Sequence, residues 1–230
     1  EPYQGRPACA GNSSCVPICP IGAKYDATVH VEEARKLGVE LRSGAVVSHL
    51  EGDGNTRVAQ VHYLDWSGNS HRVIGRMVVL ACHAVETPKI LLNSEATLPM
   101  RNDAIGRYLM DHPQGYAGGI LPEPVFPFRG PPTTSGIDVF RDGDFRADRG
   151  AFRMSIGNDG LGRIEPIDRT LENFIDQGLF GDALNKALED VGTRVLRISY
   201  STEMLPMRQN RVTLSQNRFD ALGLAKPDLY

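Results

Sequence analysis

The first regular pattern in the chain is helical, because Ala27, His30, Val31, Ala34 and Leu37 share helical spacing. Asp26 stands where an N-cap belongs and Gly38 where a C-cap belongs, so a helix is expected between them, then a short strand at Val39–Leu41. After Gly44 the period changes. The segments Ala45–Leu50, Val58–Asp65 and His71–Ala81 predict three strands, separated by the turn formers Gly52-Asp53-Gly54-Asn55 and Ser67-Gly68-Asn69-Ser70. Within the third, Met77–Ala81 is apolar without a break, as in a strand buried on both faces. A helix is expected over Glu86–Leu92, opened by Thr87-Pro88. The strand-to-helix junction at Cys82-His83-Ala84 is the kind of position where ligands approach an α/β sheet.

From Leu98 to Pro132 the chain is rich in Pro and Gly, and the prolines at 122, 124 and 127 exclude an inner strand there. A domain boundary is therefore expected near residues 95–100. Leu171, Phe174, Ile175, Leu179, Leu184 and Leu188 predict one or two amphipathic helices within Asp168–Asp190, broken near Gly178 and Gly181. Val195–Tyr200 alternates like a strand, and no internal repeat is present. The pattern as a whole is that of an α/β protein.

Composition narrows the function classes only a little. The 230 residues are 41% hydrophobic and 23% charged with a net charge of −3, so there is no basic footprint for nucleic acid and little attraction to an anionic membrane surface. No apolar run approaches the roughly 20 residues needed to span a bilayer. Glu1-Pro2-Tyr3 lacks an initiator Met and a signal-like segment, and an extended stretch begins near Leu224, so the chain is expected to be an internal piece of a longer protein.

Residues 1–22 are dense in Cys, Pro, Gly, Asn and Ser and suit neither helix nor strand. Cys9, Cys15 and Cys19 lie within this loop, with Pro20 directly after the last. Three thiolates on a loop without a fixed axis can converge on a cluster of three irons and four sulfides, which needs one thiolate per iron. Two of them can equally form a disulfide, or the set can bind zinc with His30 or His83 as a fourth ligand. Spacing alone leaves these three open. Cys82, in a buried-strand context, reads as a packed thiol.

The run from Cys9 to His30 resembles the cysteine segment of bacterial membrane-associated sugar, sugar-acid and polyol dehydrogenases of the glucose-methanol-choline oxidoreductase family. Val46–Leu50, Val78–Leu92 and Gly106–Pro113 resemble further blocks in the same order, and Asn210–Ser215 resembles a weaker one. Ala10 departs from relatives that carry a second cysteine there. The resemblance implies part of a glutathione-reductase-like FAD-binding domain over residues 1–94, part of an α+β substrate domain over 95–207, and a return toward the first domain over 208–230. It implies FAD contacts from the backbone of Val46 and Val47, or else that both are simply core, and from the turn at Ala81, Cys82 and His83, although His83 stands where the family has a Gly-like residue. Cys9, Cys15 and Cys19 become ligands of a 3Fe-4S cluster.

In such relatives FAD takes hydride from a sugar or polyol, and the cluster passes electrons toward a cytochrome c subunit or quinone. A small chaperone-like subunit accompanies the flavoprotein, which sits at the periplasmic face of the bacterial inner membrane and meets the membrane only through its partner. The family's G-x-G-x-x-G turn is missing, since Gly52-x-Gly54 and Gly160-x-Gly162 have the wrong spacing. No catalytic residue is assigned, because the family's catalytic His and its His or Asn partner are expected beyond Tyr230. Asp111-His112-Pro113 resembles a block at the domain junction, with Asp111 and His112 expected as a structural pair. Arg197, Glu203 and Arg208 either line the substrate domain or are solvated charges. An iron-sulfur electron-transfer or redox-sensing module without flavin is the alternative function.

Overall fold

Turn chemistry and short apolar patterns produce a mixed α/β chain in a computed structural model that describes residues 2–12, 15, 18–55, 57–98, 102–160 and 167–230. In chain order the elements are α1 (Thr28–Lys36), β1 (Val46–Gly52), β2 (Val58–Leu64), β3 (Ser70–Ile74), α2 (His83–Asn93), β4 (Gln114–Ile120) and β5 (Thr133–Ile137). They continue with β6 (Phe152–Gly157), α3 (Ile167–Asp176), α4 (Gly181–Arg194), β7 (Val195–Thr202), β8 (Val212–Phe219) and β9 (Ala225–Leu229). Two compact units result, one formed by residues 1–34 and 112–204, the other by 35–111 and 205–230.

In the unit of residues 35–111 and 205–230, β1, β2 and β3 form an antiparallel meander in that order. Its turns are tied by carboxylates: Asp53 accepts the backbone N–H of Asn55, and Asp65 accepts those of Ser67 and Asn69. The meander packs α2 through Leu50, Ile90 and Leu98, with Val47, Val61, Val78 and Leu80 against them. Ser94 completes the joint. Fully buried at 0% exposure, its hydroxyl accepts the Leu50 N–H at 2.8 Å and donates to the Ile90 carbonyl at 2.6 Å. Thr97 donates from its hydroxyl to the Leu50 carbonyl, and its own carbonyl accepts the Gly52 N–H. The edge of β1 is thereby satisfied from Leu50 to Gly52. β8 and β9 form a hairpin.

Three sequence expectations change here. Val39–Leu41 is not a strand, and both Val39 and Leu41 are exposed. β3 ends at Ile74, and Met77–Ala81 belongs to no strand. Met77 and Val79 are 84% and 78% exposed while Val78 and Leu80 face the core, so the run alternates rather than being buried on both faces. Among the described residues no strand pairs with it, and hydrophobicity without a hydrogen-bonding neighbour does not make a strand. Finally, α2 starts at His83 and contains Pro88. The Thr87 hydroxyl accepts the Cys82 N–H at 3.2 Å, which fixes the earlier start.

In the other unit the antiparallel sheet has the order β4-β7-β6-β5. The expected helices and the β7 strand are present, and the helices are broken at Gly178 and Gly181 as their positive φ requires. β4, β5 and β6 lack a clear sequence signal, because glycines at 115, 118, 119, 136 and 157 interrupt their apolar alternation. One of these glycines has a tertiary reason. A Cβ on Gly157 of β6 would lie 2.8 Å from the guanidinium of Arg197, its partner on β7. Arg197 is neither a solvated charge nor open to a ligand: it forms a 2.7 Å ion pair with Asp159, both side chains being about 10% exposed. Glu203 pairs with Arg146, and Arg208 in the first-described unit pairs with Asp103.

Candidate functional site

The turn before α2 is built from small residues and one conformational exception. Cys82 occupies the N-cap, and His83 has φ +57°, in the left-handed region that favours glycine. His83 therefore adopts a backbone geometry that glycine would favour. Its Nδ1 accepts the Val85 N–H at 3.1 Å, a local bond that stabilises the turn. With Ala81 ahead of it, this turn leaves a helix N-terminus on which an anionic group is favoured by the helix dipole.

Val46 and Val47 open β1, which is an edge strand of the meander. An irregularity at Ser48 separates them from the rest of the strand: Val47 pairs with Tyr63, His49 with His62, and Ser48 has no partner in the register. Val47 joins the core, whereas among the described residues nothing caps the outer edge at Val46 as Ser94 and Thr97 do at Leu50 and Gly52. Backbone recognition of a planar group is available at that end.

Beyond the irregularity, β1 and β2 carry a side-chain group that the sequence did not single out. His49 stacks on His62 with ring centroids 4.3 Å apart, and His62 Nε2 lies 2.7 Å from a Glu51 carboxylate oxygen. Burial, then the neighbouring His62, pushes the His49 pKa below its ordinary value. No motif spacing announces this set, because it depends on cross-strand register.

The cysteine loop is tied locally. Cys9 Sγ accepts the Gly11 N–H at 3.3 Å, and the Cys15 carbonyl accepts Lys24 Nζ at 3.0 Å. The backbone N–H of Lys24, then that of Ile21, lowers the Cys19 thiol pKa, with burial opposing and the N–H groups of Ala23 and Gly22 assisting. All four cysteines are free thiols. Among the described residues, however, no three Cys, His, Asp or Glu side chains gather closely enough to hold a metal ion. The expected convergence of Cys9, Cys15 and Cys19 on a cluster is thus not present in this geometry, nor is a zinc site with His30 or His83. Each of Cys9 and Cys19 is held by donors of its own turn instead. At the start of α1 the Thr28 hydroxyl, then its N–H, holds the Asp26 carboxyl below the usual carboxylate range, as the N-cap assignment requires.

His112 lies 3.3 Å from the Thr202 carbonyl through Nδ1, a placement that suits a structural role. Clefts occur in the unit of residues 35–111 and 205–230. One of about 340 Å³ is lined by Arg107, Arg211, Asn102, Asp103, Glu95 and Thr213 among others, and no sequence motif marks either arginine as a site residue. Among the described residues no helix is long and apolar enough to cross a membrane.

Residues 4–114 match the family described as GMC oxidoreductase. Over its whole length the chain is 34% identical to the fructose dehydrogenase large subunit of Gluconobacter japonicus, of which it spans 42%. It is 38% identical over 112 residues, 47% of the chain and 20% of the relative, to 6'''-hydroxyparomomycin C oxidase of Streptomyces lividus. It is 33% identical over 131 residues, 53% of the chain and 24% of the relative, to paromamine 6'-oxidase of Streptomyces fradiae. The chain therefore spans less than half of each of these relatives.

Proposed function

Because the chain belongs to the GMC oxidoreductase family, we propose that it serves an FAD-dependent dehydrogenase that oxidises an alcohol group of a sugar, polyol or sugar acid. The observation that carries this reading is the correspondence of the whole chain with the large subunit of a fructose dehydrogenase. The family implies FAD, and two local features fit it: the left-handed turn at His83 before α2, and the uncapped edge of β1 at Val46. Ala81, Cys82 and His83 would hold the diphosphate end, where a tight turn at a helix N-terminus favours an anion. Val46 and Val47 would hold the adenine end through their backbone. When bound, FAD accepts a hydride from the substrate carbon and so supplies the redox chemistry. On this reading residues 35–111 and 205–230 belong to the FAD-binding domain and the β4-β7-β6-β5 sheet to the substrate domain.

The finer assignment concerns electron exit. A 3Fe-4S cluster on Cys9, Cys15 and Cys19, with a cytochrome c subunit or quinone as acceptor, rests on the cysteine segment alone, and the loop must close for its sulfurs to share irons. A small chaperone-like subunit and the periplasmic face of a bacterial inner membrane belong to the same proposal.

The test is to produce the protein from its complete reading frame and record flavin, iron, sulfide and dye reduction with a panel of sugars and polyols. Bound FAD with sugar-dependent dye reduction is expected. A preparation carrying iron and sulfide but no flavin would replace the dehydrogenase with the electron-transfer module. Flavin-dependent oxidation with no iron, unchanged when all three cysteines become serine, would remove the cluster and keep the enzyme.

A further inference from the structure

The cleft bordered by β8 contains an arrangement that the flavin reading does not use. Arg107 and Arg211 face each other across an antiparallel bridge, flanked by the Val212 N–H donating to the Gly106 carbonyl at 2.6 Å and the Leu109 N–H donating to Asn210 at 2.9 Å. Gly106 makes this approach possible, since at φ +75° a Cβ there would sit 2.5 Å from the Val212 carbonyl oxygen. The bridge brings the two backbones together, and both arginines line the cleft beside it.

Several arginines pair with a carboxylate, among them Arg42, Arg146, Arg153, Arg194, Arg197, Arg208 and Arg218. Among the described residues, neither Arg107 nor Arg211 forms such a pair. Arg107 Nε donates to the Asp103 carbonyl at 2.9 Å, and Arg211 Nη1 to the Gln209 carbonyl at 3.0 Å. The Arg211 guanidinium also lies over the Tyr230 ring, 4.5 Å from its centroid, which holds it without neutralising it. The Asp103 carboxylate, which lines the same cleft, is engaged by Arg208. A guanidinium has five N–H donors, so these bonds leave most of them free.

We propose that Arg107 and Arg211 form a subsite for a single small oxyanion, a phosphate or a carboxylate group, bound in the cleft of about 340 Å³. Two guanidiniums offer paired donors matched to either group, and both arginines line the cleft with the amide of Asn102 and the hydroxyl of Thr213 beside them. Glu95 lines it as well, which favours one oxyanion over a polyanion. A bound anion held by both arginines would tie the Gly106–Leu109 segment to β8. This subsite does not depend on the flavin assignment.

The experiment uses the protein from its complete reading frame, titrated at constant ionic strength with inorganic phosphate and separately with gluconate, against chloride. Calorimetry and thermal unfolding are read together, with flavin content recorded for each variant. At least one anion is expected to bind saturably and raise the Tm, and the affinity to fall by about tenfold in Arg107→Gln and in Arg211→Gln. Arg107→Lys and Arg211→Lys, which keep the charge, should retain part of it even if a Gln variant folds poorly. Saturation by phosphate alone marks a free or esterified phosphate as the ligand; saturation by gluconate alone marks a sugar acid. The subsite is overturned if neither anion saturates, or if saturable binding persists undiminished in the double Gln variant.

Discussion

The two units hold themselves together by different means. In the unit of residues 35–111 and 205–230, the meander and α2 meet through apolar side chains, Leu50, Ile90 and Leu98, and the single hydroxyl of Ser94 stitches strand to helix. In the unit of residues 1–34 and 112–204, the central strand β7 buries Val195 beside a charged residue, Arg197, whose partner Asp159 lies just beyond β6. An apolar contact is forgiving of direction and tolerates small adjustments. A buried ion pair is not, because each charge is stable there only while the other is in place. The first arrangement should therefore fail gradually with lost volume, and the second abruptly with a lost partner.

The sharpest test of that contrast is Arg197→Leu. Removing the guanidinium that pairs with the buried Asp159 carboxylate should cost about 3–5 kcal/mol of stability, while Arg197→Leu combined with Asp159→Leu should recover most of it. Urea unfolding of the full-length protein reads both values, and a double variant no more stable than the single one would show that the pair is not the important element. Next comes Leu50→Ala, expected to cost about 2–4 kcal/mol by transfer and cavity terms together, with Leu50→Met costing much less. If Met were as damaging as Ala, the apolar core would be no more forgiving of shape than the ion pair.

Ser94→Ala should follow at about 1–3 kcal/mol, since it leaves the Leu50 N–H buried without its acceptor. Hydrogen exchange at Leu50 should accelerate in that variant while exchange in β7 stays unchanged. The smallest effects are titrations. Hydrogen bonds from His71, then Asn69, hold the Asp65 carboxyl well below the usual carboxylate range. Its contribution is complete above the ordinary carboxylate pKa and disappears only as pH falls through the depressed folded value, so the β2–β3 turn should persist into strong acid and lose that persistence in Asp65→Asn. His49 works in the same direction at higher pH. With its folded pKa lowered, the unfolded chain takes up a proton first, so stability should begin to decline as pH drops below about 6.5. His49→Gln should flatten that decline.

Much of this architecture was legible along the chain, for identifiable reasons. The α1 cap, the two turns of the meander, the break between α3 and α4 and the β7 alternation are local: each depends on residues within about one or two turns of one another. The misreadings are also instructive. Met77–Ala81 has the composition of an inner strand, yet a strand is a relation between two segments and no composition supplies the second. β4, with its three glycines, has almost no pattern, and exists because β7 offers it a ladder from Gln114 to Ile120. At the candidate site, the cysteine spacing and the Ala81-Cys82-His83 turn stood out by type, but spacing could not bring three sulfurs together. His49 with His62, and Arg107 with Arg211, were invisible because their members meet only across strand pairings.

What the sequence by itself determined, then, is where the backbone turns, caps and alternates, since these follow from side-chain type and near-neighbour spacing, and which family residues 4–114 match. Tertiary structure alone decided which charges are buried and paired, which segments become strands, and which arginines come to line one cleft. Those outcomes depend on residues far apart in the chain arriving within a few ångströms, where desolvation and Coulomb forces become strong enough to select one partner over another.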